Sequence, residues 1–233
     1  RMKLQTLYEK LLKTYGKQGW WPLTVVSLSG NGTQPTKTGS LYGYHPGEYT
    51  YPRNEEQRLE ICLGAILTQN TSLPNVEKAI TGLLESVGEL TAKHVLDLPE
   101  GQLKEAIRPA GYYNQKARYI REFLLFYLGL DSRVPSREEL LQVKGVGEET
   151  ADSILLYAYG VPTFVVDAYT KRILFAHGLI EEKTSYAQVQ TLFHDALGRD
   201  TFMFQEYHAL LVEHAKRHYA KKPYGKDDPF KDA

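Results

Sequence analysis

The chain has 233 residues and a single cysteine, Cys62, so no internal disulfide can form and no cysteine cluster can hold zinc or iron–sulfur. It lacks any apolar run that approaches a membrane span, because charge or glycine interrupts each one. It lacks an excess of either charge: 28 Lys and Arg stand against 28 Asp and Glu. A balanced chain is a poor non-specific coat for nucleic acid, although a few phosphates can still be held locally. The first fifteen residues carry Arg1, Lys3, Glu9, Lys10 and Lys13 and hold no signal-peptide core. The expectation is a soluble, cytoplasmic protein with no membrane partner. A neutral metabolic enzyme stays open at this point.

What is present is helical periodicity. Leu4, Leu7, Tyr8, Leu11, Leu12 and Tyr15 recur at helix spacing. Between Pro22 and Pro52 the pattern gives way to Gly, Thr, Pro, Ser and Tyr, which predicts a long loop with a short hairpin at Ser40–Tyr51. Asn54, with Gln57 at the capping-box position, opens a buried helix carrying Leu59, Ile61, Cys62, Ala65, Ile66 and Leu67. Ser72 and Pro74 open the next, and short helices follow near 92–96 and 100–107. Further helices are expected over 115–128, 136–142, 148–159, 166–177, 186–197 and 202–220, with a frayed tail after Pro223. The fold class read from this pattern is all-α.

One stretch carries chemistry. Leu140-Leu-Gln-Val-Lys-Gly-Val-Gly-Glu-Glu-Thr-Ala-Asp-Ser-Ile-Leu-Leu156 reads as helix, Gly-Val-Gly hairpin and helix, and Asp167 follows eleven residues later at the start of another helix. A Gly-x-Gly between helices leaves backbone N–H groups uncovered at the second helix's N-terminus, a seat for one phosphate. A dinucleotide loop would need a preceding strand and a third glycine where Thr150 stands; a nucleotide-triphosphate loop would need Gly-Lys-Ser/Thr. Both readings fail. An ordinary tight turn is the bland alternative, but the small residues Thr150, Ala151 and Ser153 also permit close helix packing.

Residues 143–158 with Val165-Val-Asp-Ala-Tyr-Thr-Lys171 resemble the helix–hairpin–helix and essential aspartate of the endonuclease III superfamily of DNA glycosylases. Leu67-Thr-Gln-Asn-Thr71 and Gly111-Tyr-Tyr-Asn-Gln-Lys-Ala117 match further segments. The resemblance implies two helical subdomains with the active site in the cleft between them: residues 54–163, with the hairpin at about 143–148, and residues 1–53 plus 164–233. It implies that Asp167 stabilises the cationic sugar left when a base departs. Lys144, Gly145, Gly147, Thr150, Gln69, Asn70 and Lys116 fall where relatives meet DNA, with Gln69 as the residue filling the gap of a flipped base. Main-chain carbonyls of Leu141, Val143 and Val146 would hold K+ or Na+ by the same analogy. The implied partner is double-stranded DNA carrying a flipped damaged base, bound by a monomer in a cytoplasmic, nucleoid-associated setting.

Two departures are informative. Members that also cut the backbone carry a lysine where Glu149 stands, and a glutamate cannot form an imine. Many relatives ligate an iron–sulfur cluster after the last helix, whereas His214–Tyr224 contains no cysteine. His214 and His218 stand four residues apart, but the Glu of a His-Glu-x-x-His zinc motif is missing. A solvated basic helix face with Lys216, Arg217, Lys221 and Lys222 is the expectation there.

For the base pocket, the adjacent Trp20 and Trp21, with Pro22, offer an electron-rich wall. A cationic N-alkylated purine stacks on indole with ~1–2 kcal/mol that neutral uracil or thymine does not gain. Trp-Trp-Pro, the Gln69-Asn-Thr71 turn, Arg108–Ala117 and Glu149 together resemble the 3-methyladenine glycosylases of the MagIII type, from which the long insertion between Pro22 and Pro52 departs. The expected function is a monofunctional glycosylase for alkylated purines. The alternatives are a mismatch uracil/thymine glycosylase and a non-catalytic helix–hairpin–helix DNA-binding module.

Overall fold

The computed structural model describes residues 3–28 and 39–231, and among these it contains helices and no strand. In chain order the helices are α1 (Leu4–Tyr15), the short α2 (Thr24–Val26), α3 (Glu55–Leu67), α4 (Leu73–Val87), α5 (Ala92–Asp97) and α6 (Glu100–Ala106). After these come α7 (Tyr113–Gly129), α8 (Arg137–Gln142), α9 (Glu148–Ser153), α10 (Ala168–Ala176), α11 (Tyr186–Leu197) and α12 (Thr201–His218). A 3-10 turn covers Arg108–Ala110, and a π-helical turn, Ile154–Ala158, continues α9. The all-α class read from periodicity is the one observed. Several starts obey the capping chemistry in the sequence: Asn54 accepts from Gln57 N–H, and Ser136 with Glu139 and Ser185 with Gln188 form capping boxes.

The chain divides into two compact units: Arg1–Trp20 with His45–Tyr49 and Gly160–Ala233, and Trp21–Tyr44 with Thr50–Tyr159. These boundaries differ from the expected ones, since residues 21–44 join the middle of the chain. Buried carboxylates explain the placement. Glu60 of α3, 2% exposed, accepts the N–H groups of Thr24 and Val25. Glu77 of α4, 3% exposed, accepts from the Ser40 hydroxyl and the Leu41 N–H. No hairpin forms at 40–51: the Ser40 hydroxyl takes the N–H groups of Tyr42 and Gly43, so side chains satisfy backbone that a ladder would have paired. Residues 29–38 of the predicted 23–52 loop lie outside the described residues.

In the first unit α12 is the central helix, with α1 and α10 packed on it. Phe164 stacks on Phe193 with centroids 3.6 Å apart, and Phe204 and Tyr207 meet it edge-on, so the chain just before Asp167 is pinned in an aromatic core. The described part of the tail, residues 224–231, is not frayed. Asp228, its side chain fully buried, accepts from His177 Nε2 at 2.9 Å and the Tyr219 hydroxyl at 2.5 Å, and His214 Nε2 lies 3.1 Å from it. His214 is therefore a core residue and not part of a solvated face. In the second unit α3 is buried on every side from Leu59 to Leu67, and α4, α7, α9 and the π-helical turn cover it.

Candidate active site

Asp167 caps α10 at the end of the buried extended stretch Thr163–Val166. Its Oδ1 accepts from Thr170 N–H at 2.6 Å and Thr170 Oγ1 at 2.8 Å. Both bonds fall on one oxygen, so Oδ2 keeps its acceptor capacity on a half-buried carboxylate whose orientation is fixed. The α10 dipole adds a favourable field for negative charge at that point.

Two groups accompany Asp167 within this unit. Val165 O accepts from Nδ1 of His208, a buried residue of α12, at 3.1 Å. Burial lowers the basicity of His208, against the opposing pull of the Asp167 carboxylate and the Val165 bond. Trp20 meets the same imidazole in a T-shaped contact, with centroids 5.8 Å apart and planes at 76°. The approach to Trp20 is held by Glu206, which is 2% exposed and accepts the N–H groups of Gln18 at 2.7 Å and Gly19 at 2.9 Å. Tyr49 also bonds Glu206; burial, followed by that acid, pushes its hydroxyl up to about 12. Gly19 has φ of +72°, and a Cβ there would lie 2.1 Å from the His45 carbonyl, so only glycine fits the bend.

The two tryptophans have different neighbours. Trp20 is half-buried beside His208. Trp21 is 8% exposed and belongs to the other unit, where it packs edge-on against Tyr157 and over Gly64, whose added Cβ would meet Nε1 at 3.1 Å. Pro22 is buried in that unit too. Trp21 and Pro22 are thus packed within the second unit, and Trp20 within the first.

The hairpin forms as read. Gly145 has φ of +89°, and a Cβ there would strike the Tyr119 ring at 2.2 Å; Gly147 caps α9. Lys144, Gly147 and Glu149 are exposed, while Val146 and Thr150 are buried. Gln69 donates its amide to Gly145 O at 2.8 Å and to Thr150 Oγ1 at 3.2 Å, which ties the end of α3 to the hairpin. Asn70, exposed with φ of 54°, makes the left-handed turn after it. The Val143 carbonyl accepts from Val146 N–H at 3.0 Å.

Lys116 is a correction. It is 3% exposed and donates to Leu67 O at 2.7 Å and Ala110 O at 2.8 Å, so it fastens α7 to two turns and does not reach a phosphate. Burial brings its amine down to about 8. Among the described residues no group of three or more His, Cys, Asp or Glu is arranged to hold a metal ion, and no helix is long and apolar enough to cross a membrane. Periodicity missed His208 and Glu206 because both lie inside the apolar run of α12. A lone acid among Phe204, Tyr207, Leu210 and Leu211 was the available signal, since a buried charge must be paired.

Comparison with known proteins gives one consistent family. A profile described as HhH-GPD superfamily base excision DNA repair protein matches residues 63–198. The chain is 39% identical, over 97% of its length and 93% of the relative's, to "Putative DNA repair glycosylase MJ1434" of Methanocaldococcus jannaschii. Its fold is similar to that of endonuclease III in a non-covalent DNA complex: TM-score 0.70, 19% identity, 97% of this chain and 91% of that one. It is also similar to the H. pylori 3-methyladenine DNA glycosylase MagIII bound to 1,N6-ethenoadenine: TM-score 0.67, 23% identity, 93% of this chain and 98% of that one.

Proposed function

Because the chain belongs to the HhH-GPD superfamily of base excision DNA repair proteins, we propose that it is a monofunctional DNA glycosylase releasing alkylated purines of the 3-methyladenine type. The observation that carries the reading is Asp167, a carboxylate aimed by Thr170 through one oxygen and accompanied by Trp20 and His208. The substrate is double-stranded DNA with the damaged nucleotide flipped out of the stack, met by a monomer. Lys144 and the N–H groups at Gly145 and Gly147 meet a backbone phosphate; the carbonyls of Leu141, Val143 and Val146 would hold a K+ or Na+ ion, which would supply positive charge beside it.

The chemistry follows from charge. An N-alkylated purine is cationic, so its glycosidic bond breaks with the electron pair passing to the base, which leaves neutral without a general acid. Asp167 stabilises the cationic sugar and orients the water that attacks C1′, accepting the proton which that water sheds. Trp20 favours the cationic base before it leaves. Glu149 at the lyase position supplies no amine, so the product is an abasic site in an intact strand.

The test compares base release from duplexes carrying 3-methyladenine and from duplexes with uracil or mismatched thymine. Wild type should prefer the methylpurine, and Trp20→Ala should lower that rate by about 5–30-fold, the equivalent of ~1–2 kcal/mol. Release of uracil or thymine that exceeds methylpurine release would replace this substrate reading with the mismatch one.

A further inference from the structure

His208 touches both parts of the chemistry proposed above. It is 6% exposed, with Nδ1 3.1 Å from the Val165 carbonyl. A carbonyl can only accept, so Nδ1 carries the proton, and in the neutral ring Nε2 is the basic nitrogen. Burial favours that neutral ring, although Asp167 pulls the other way. Val165 lies two residues before Asp167 on the buried stretch that ends at the α10 cap. A bond from α12 to its carbonyl therefore sets the point from which Asp167 departs. The same imidazole meets Trp20 edge-on, with the rings at 76°.

We propose that His208 is a positioning and specificity-determining residue of the glycosylase: through Val165 it holds the Asp167 carboxylate in register, and through Trp20 it aligns the indole that receives the cationic base. A neutral ring also places no competing positive charge beside the carboxylate. The inference rests on the reading of the chain as an alkylpurine glycosylase. Its chemical basis is separate from capping and from the hairpin, because His208 acts from α12 on the Val165 carbonyl and not through α10 itself.

The experiment compares wild type, His208→Leu and His208→Asn in single-turnover base release from methylated duplex DNA, with DNA affinity and thermal melting measured on the same samples. Asparagine keeps a donor near the Nδ1 position; leucine does not. His208→Leu should lose about 100-fold in rate with unchanged affinity, the consequence of a carboxylate displaced by a fraction of an ångström to an ångström. His208→Asn should recover about tenfold of that loss. A natively melting His208→Leu with the wild-type rate would overturn the proposal. So would equal losses in two natively melting variants, because the Val165 bond would then not matter. A wild type that releases no methylpurine removes the alkylpurine reading and this inference with it, and that failure is recognised before any variant is made.

Discussion

Asp167 and Asp228 lie in the same unit and are held in opposite ways. Asp167 has one neighbour on one oxygen, Thr170, and is half-buried. The Asp228 side chain is fully buried and meets His177, His214, Tyr219 and the Phe230 N–H on its two oxygens. Burial alone would raise the Asp228 carboxyl, but these donors outweigh it and hold the group well below the usual carboxylate range. The difference separates chemistry from architecture. A saturated carboxylate has no acceptor left for substrate, whereas a singly anchored one is oriented and still available.

Substitution should break the pair in opposite directions. Asp167→Asn keeps a good helix cap, so melting should barely move, but base release should fall about ten-thousandfold, ~5 kcal/mol of barrier. Asp228→Asn should do the reverse. It leaves buried imidazoles without their carboxylate and should destabilise the fold by ~3–5 kcal/mol, with base release per folded molecule unchanged. Chemical denaturation together with single-turnover rates on both variants checks the two claims at once. An Asp228→Asn protein with native stability would show that the cluster does not hold the tail.

Glu60 sharpens the comparison through pH. Burial raises its carboxyl to about 7, against the N–H groups of Val25 and Thr24, which favour the charged form. A carboxyl raised in the folded state stabilises below its ordinary range, and that contribution is lost as pH rises through the folded value. Stability should therefore fall by ~2–3 kcal/mol between pH 4.5 and 8, and Glu60→Gln should flatten the slope. Asp228 has the opposite sign: its contribution is present above the ordinary value of 3.8 and is lost as pH falls below it. Denaturation midpoints measured across pH resolve the two limbs.

These contrasts also explain what could be read in advance. The helices were legible because their apolar stripes, caps and glycines are local signals: Asn54 and Gln57, Ser136 and Glu139, and Gly145 act within a few residues. Asp167 was legible as a cap for the same reason. What stayed hidden depends on partners far along the chain. Asp228 finds His177 across 51 residues, and Lys116 finds Leu67 O across 49. Glu60, Glu77 and Glu206 are buried and anchor the segments around 24–25, 40–41 and 18–19, partners that no local pattern names. Glu60 sits within Leu59-Glu-Ile-Cys-Leu63, where an acid among apolar residues already calls for a partner. The tryptophan pair could not be divided from sequence, because adjacency in the chain says nothing about which ring meets Gly64 and which meets His208.

The measurement that tests the central claim most directly is chromatography of the bases released from methylated duplex DNA by the wild-type protein, with strand integrity followed in the same reaction. The account predicts a 3-methyladenine peak and unbroken strands, the signature of Asp167 hydrolysis without a lysine nucleophile. No methylpurine peak, or strand cleavage that keeps pace with base release, would contradict it.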